Sequence, residues 1–138
     1  MRRIPAPPSA VSINLELEDG EIWVDPEKIV RVLVNFIANS IDAMAGEGTL
    51  RIASMFQQGA DNVCQIQISD TGAGMDEETL KKICQPFFTR KSKGTGLGLA
   101  ICRKIIEAHK GRFTIKSKPQ EGTTVVITLP VASSCQEC

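Results

Sequence analysis

Aromatic side chains are scarce in this chain, at 4% with no tyrosine and one tryptophan, so any core it builds is mostly aliphatic. It also lacks an excess of either charge, with 16 basic and 16 acidic residues. That balance excludes a protein built to coat nucleic acid or an anionic membrane, and no contact with either is expected. No apolar run approaches the length of a membrane span, and the start MRRIP has no signal-peptide core, so a cytoplasmic location is expected. Histidine is represented once, by His109 at the end of a helical pattern, where it reads as neither ligand nor base. The five cysteines are an odd number, against a disulfide framework. Cys64, Cys84 and Cys102 stand singly in expected elements, and Cys135 and Cys138 form a lone C-x-x-C in what reads as a frayed tail. Three nucleotide signatures are missing. There is no G-x-x-x-x-G-K-[ST], no V-A-I-K, H-R-D and D-F-G set, and the glycines from Gly94 read G-x-G-x-G rather than G-x-G-x-x-G.

What is present fits one domain over residues 11–130, preceded by a proline-rich linker at 1–10 and followed by a flexible tail at 131–138. The abrupt start suggests a piece of a longer protein. Val11 to Glu18 alternates as a half-buried strand, and Ile22 to Val24 is expected to add a short second one. Asp25-Pro26 starts a helix to about Ala45 that is apolar nearly all round, hence buried. Thr49–Phe56 and Asn62–Ser69 read as an antiparallel pair, Asp76 caps a short helix, and Gly96–His109 forms another. Phe113–Ser117 and Thr123–Leu129 close the chain as a hairpin. The order implies a two-layer α/β sandwich, a mixed and mostly antiparallel sheet packed on about three helices.

Three places in that order carry chemistry. On the first helix, Lys28, Arg31, Asn35, Asn39 and Asp42 share a stripe. Lys28 and Arg31 read as solvated, whereas carboxamides one turn apart read as groups aimed into a site, because asparagine is a poor helix former. Strand parity puts Asp70 on the apolar side at a strand end, followed by a turn at Gly72 and Gly74. A carboxylate there needs a partner; the simplest is a local backbone amide. The stretch PFFTRKSKGTGLGLA, from Pro86 to Ala100, combines Arg90, Lys91 and Lys93 with alternate glycines at Gly94, Gly96 and Gly98, then enters a helix. Glycine amides and a helix N-terminus suit phosphates. A purine nucleotide with magnesium on its phosphates satisfies all three: Asp70 accepts from an exocyclic amino group, and Asn39 offers a hard oxygen.

The segments NFIANSIDAM, DTGAGM, PFFTRK, GTGLGLAI and EGTTVVITLP together closely resemble the ATP-binding catalytic domain of sensor histidine kinases, over about Val11 to Pro130. That family shares a Bergerat-type fold with gyrase, heat-shock chaperone and mismatch-repair ATPases. The resemblance implies that Asn39 ligands magnesium and that Asn35 and Asp42 lie by the phosphates. It implies that Asp70 binds the adenine amino group, with Gly72, Gly74, Met75 and Thr123 around the base. It assigns Gly94, Thr95, Gly96, Leu97, Gly98 and Leu99 to the phosphate loop, and Phe87 to Lys93, with Phe88 and Thr89, to a lid. Asp42 stands where many members carry lysine, a pattern resembling the nitrogen-regulatory type, in which Arg90 or Lys91 takes over phosphate contact. Hydrolytic relatives carry glutamate at the position of Asn35; its absence favours phosphoryl transfer over hydrolysis. The implied partners are the dimerisation and phosphoacceptor domain of the same parent, and a response regulator downstream. No acceptor helices are expected within this chain, and the resemblance is compatible with a membrane-anchored parent. Two alternatives stand beside this reading: a serine kinase of the anti-sigma factor type, and a nucleotide-gated binding module without transfer.

Overall fold

The computed structural model describes residues 11–58, 62–83 and 95–131. In chain order they form β1 (Val11–Leu17), α1 (Pro26–Met44), β2 (Gly48–Gln57), β3 (Val63–Asp70), α2 (Glu77–Ile83), α3 (Thr95–Ala108), β4 (Arg112–Lys118) and β5 (Gly122–Pro130). The five strands make one sheet in the order β1-β2-β3-β5-β4, parallel only between β1 and β2 and antiparallel elsewhere. This is the mixed sheet on three helices expected above. α1 begins where expected, with Asp25 as N-cap accepting from the Lys28 amide at 3.3 Å and Pro26 in the first turn. Its last carbonyls are closed by Ala45 in the left-handed region. α2 starts behind Asp76, whose carboxylate accepts from the Thr79 amide at 2.7 Å.

The core lies between α1, α3 and one face of the sheet. It is aliphatic, as the composition required, and includes Val32, Leu50, Ile68, Ile106, Ile127 and Leu129. Among the described residues the aromatics contribute one focus: Phe36 of α1 meets Phe113 of β4 at 5.4 Å between ring centres, with the Arg103 guanidinium 4.9 Å from the Phe113 ring centre.

Three expectations are corrected. Ile22–Val24 is no strand. Ile22 and Val24 pack partly buried against the core, but among the described residues their segment's backbone makes only the Trp23 amide's bond to the Val131 carbonyl, 3.3 Å, too little for a ladder. β1 is not half-buried: its register sets Ile13 and Leu15 beside Leu50 and Ile52, yet Ile13, Leu15 and Leu17 are 49%, 57% and 61% exposed. They lie on the edge strand, outside the cover of the two long helices. For the same reason α1 is not buried all round, and Val30, Val34 and Ile41 on one flank remain exposed. Sequence periodicity reports that a face is apolar; it does not report how far the neighbouring layer extends.

Cys64 and Cys102 are free and buried. Burial pushes the Cys102 thiol up to about 11, Arg31 opposing weakly, and burial followed by the Glu18 carboxylate raises that of Cys64. At pH 8 only about one Cys102 thiol in a thousand is then ionised. Both residues should resist N-ethylmaleimide in the native chain and react once denaturant is added, as read by peptide mass spectrometry. Native-state labelling at the rate of an exposed thiol would contradict this packing. The unfolded thiol holds its proton only to about 9.0, so unfolding releases a proton above that value, and Cys102 makes stability fall as pH rises from about 9 to about 11.

Candidate functional site

The site is built where β3 ends. Asp70 is paired with Leu50 on one side and Thr123 on the other, and the residue is only 6% exposed. Its Oδ1 accepts from the Gly72 amide at 2.8 Å. The local bond that a simple turn predicts is therefore present, but it engages one oxygen. Among the described residues Oδ2 takes no hydrogen bond, so one oxygen of a nearly buried carboxylate is left to meet a donor.

The turn behind Asp70 is pinned on several sides. The Thr71 hydroxyl accepts from the Thr49 amide at 3.0 Å, the Ala73 amide donates to the Ala43 carbonyl at the end of α1 at 3.1 Å, and the Ala73 carbonyl accepts from the Gln120 amide. Two glycines are required by space. A Cβ on Gly72 would lie 2.5 Å from the Ala43 carbonyl oxygen, and one on Gly74, whose φ is +70°, would lie 1.9 Å from that of Lys118. Next to this turn, the Ser117 hydroxyl donates to the Gly122 carbonyl at 3.1 Å. It therefore accepts from the Met75 amide, 2.8 Å, and from the Thr123 hydroxyl, 2.7 Å. That uses every position on Ser117 and fixes the direction of the Thr123 O–H. Alternation marks Ser117 only as an inward position of β4; nothing in its spacing announces a junction of three segments. A groove of about 660 Å³ adjoins this corner, with Met75, Leu80, Ile115, Ser117 and Gly122 among its lining.

The second part of the site lies between α1 and α3. The Asp25 amide at the start of α1 bonds to His109 just beyond the end of α3, at 3.0 Å, and Arg31 of α1 acts on Cys102 of α3. As one helix ascends, the other descends: they run antiparallel. Continuing that pairing brings Asn35 and Asn39 level with the first turn of α3, at Thr95–Gly98. Both asparagines are half-buried, while Lys28 and Arg31 are exposed, as the stripe suggested. Asp42 is exposed at the last turn of α1. Leu99 is in the core, so a contact from that position to a ligand would come from its backbone. Phe87, Phe88, Thr89, Arg90, Lys91, Lys93 and Gly94 lie outside the described residues, as do Cys84, the linker at 1–10 and the tail at 132–138.

The structure therefore gathers Asp70, Gly72, Gly74, Met75 and Thr123 in one corner, and aligns the two asparagines with the start of α3. Among the described residues no three His, Cys, Asp or Glu side chains converge. Asn39 offers a single neutral oxygen, which fits magnesium, a cation that keeps several waters and shares its ligands with substrate phosphates. No helix of the described residues is long and apolar enough to cross a membrane.

Known proteins share this fold and part of its sequence. The model of the family described as "Histidine kinase-, DNA gyrase B-, and HSP90-like ATPase" matches residues 24–133. The chain is 37% identical to Sporulation kinase E of Bacillus subtilis (strain 168) over 131 residues, covering 94% of this chain and 18% of that protein. It is 40% identical to the signal transduction histidine-protein kinase AtoS of Escherichia coli (strain K12) over 118 residues, 86% of this chain and 19% of that one. It thus spans about a fifth of these relatives' length. Among solved structures, the catalytic domain of histidine kinase ThkA superposes with a TM-score of 0.76 at 31% identity, covering 90% of this chain and 81% of that one.

Proposed function

We propose that this chain, which belongs to the histidine kinase-, DNA gyrase B- and HSP90-like ATPase family, transfers the γ-phosphoryl of ATP to a histidine on a separate dimerisation domain. Within the family it is an ATP-binding catalytic domain of the histidine kinase type. The observation that carries the residue assignments is the Asp70 carboxylate, nearly buried, with Oδ1 held by Gly72 and Oδ2 without a partner among the described residues. A buried acceptor at the end of a strand selects a ligand with an amino group in the plane of a flat apolar ring, as adenine has. Thr123, oriented by Ser117, has oxygen lone pairs left for the same ring edge. Gly72 and Gly74 bring backbone close to it.

Asn39 would hold magnesium through its carboxamide oxygen, and Asn35 would sit beside the phosphates at the start of α3, since a helix N-terminus favours anions. When bound, magnesium supplies charge neutralisation on the phosphates. Asn35 has no basic group with which to activate water, so the chain's contribution is to position and desolvate the nucleotide for an external acceptor. The stretch Phe87–Lys93, outside the described residues, would serve as a lid whose Arg90 and Lys91 meet the phosphates as catalytic cations, in the manner of the nitrogen-regulatory type. A response regulator would receive the phosphoryl group next, and the domain would work in the cytoplasm.

Calorimetry with a non-hydrolysable ATP analogue, with and without magnesium, tests the binding half. A supplied dimerisation domain carrying an acceptor histidine tests transfer. Asn39→Ala should weaken binding at least about tenfold with magnesium present, and change little when it is chelated. Equal losses under both conditions would remove Asn39 from the metal.

A further inference from the structure

The one histidine of the chain closes α3, and both its ring nitrogens are engaged. Nδ1 lies 2.8 Å from the carbonyl oxygen of Ile105, and Nε2 lies 3.0 Å from the backbone nitrogen of Asp25. A carbonyl only accepts and a backbone N–H only donates. The two contacts therefore assign the neutral tautomer with the proton on Nδ1 and the lone pair of Nε2 facing Asp25. Asp25 is the N-cap of α1. The imidazole is thus a clasp between the last turn of α3 and the first residue of α1.

We propose that His109 is a positioning residue for the nucleotide site, its neutral ring setting how α3 lies along α1. This rests on the nucleotide reading above. The antiparallel pair carries its clasp at one end and its ligand groups toward the other. At about 1.5 Å per residue, Asn39 stands about 21 Å from Asp25 along α1, and the start of α3 about 21 Å from His109. Over that lever a tilt of about 3° moves the far end by about 1 Å, a displacement large enough to spoil alignment of a reacting phosphate. The middle of the pair is packed by Val32, Phe36, Cys102 and Ile106, contacts without direction that tolerate a small rocking. The hydrogen bond at the end is directional and resists it.

The test is calorimetric titration of a non-hydrolysable ATP analogue with magnesium, at one pH, on the native chain, His109→Gln and His109→Phe, with thermal melting to establish that each is folded. The glutamine keeps a carboxamide oxygen as acceptor for the Asp25 N–H, whereas the phenylalanine keeps a ring and has no acceptor. His109→Phe should bind at least about fivefold more weakly than native, and His109→Gln within about twofold of it. Native affinity in His109→Phe, or equal losses in both variants, overturns the proposal. Absence of binding by the native chain would overturn the nucleotide reading and this role with it, whereas native binding with an unaffected His109→Phe overturns the role alone.

Discussion

The Asp70→Asn chain is expected to fold normally and to lose nucleotide affinity by at least about 100-fold. The reason is the fixed use of Oδ1. In the native chain that oxygen accepts from the Gly72 amide, and an asparagine keeps this bond only by turning its own oxygen toward Gly72. Its NH2 then occupies the position of Oδ2 and faces the exocyclic amino group of adenine, donor against donor. Turning the carboxamide round restores an acceptor for the ligand but sets NH2 against the Gly72 N–H. Either arrangement leaves a nearly buried donor without a partner, which costs about 1–3 kcal/mol, in addition to the charge-assisted bond lost. The check is the calorimetric titration described above, with thermal melting as control. Affinity within a few-fold of native would remove Asp70 from the binding site, and a melting temperature lowered by many degrees would show a structural role instead.

The second large effect is expected at Gly122, which opens β5 with φ at +88°. A Cβ there would lie 2.0 Å from the Asp70 carbonyl oxygen and 3.1 Å from the Thr71 Cα. Both neighbours are backbone: Asp70 is held in the β3–β5 ladder, where it pairs with Thr123, and Thr71 follows it directly. Gly122→Ala therefore needs either a shift of the strand end or a strained left-handed alanine, and the expected destabilisation is about 3 kcal/mol or more. Chemical denaturation should show a lower midpoint with an unchanged slope. Gly20→Ala is the contrast: a Cβ at Gly20 would meet the Phe56 ring at 2.4 Å, and a side chain can swing away where a paired strand cannot. A Gly122→Ala chain as stable as native, or no more destabilised than Gly20→Ala, would refute the backbone argument. Because Gly122 also receives the Ser117 bond that orients Thr123, the variant should lose nucleotide affinity in its folded fraction too.

The order and type of the main elements, and the identity of the chemical groups, were determined by the sequence itself. Asp25-Pro26 starts α1 because a capping carboxylate and a fixed φ act within one turn. Parity along β3 places Asp70 on the core side because side chains alternate with period two. Asn35 and Asn39 stand on one flank because the helical repeat puts them there. All of these are interactions within a few residues. The segment boxes identified the family because five short motifs occurred together in one order.

What only the tertiary structure decided depends on distances across the chain. β1 and one flank of α1 are exposed because the helical layer ends before the sheet does, which no local pattern records. Ser117 is a junction because β4, β5 and the glycine turn meet at its hydroxyl. His109 reads in the sequence as the end of a helix and no more. Its link to Asp25, 84 residues away, exists because α1 and α3 pack antiparallel, and their packing follows from the apolar faces they share over the sheet. Local chemistry names the groups in this protein, and the long-range packing of two helices on five strands determines which of them meet.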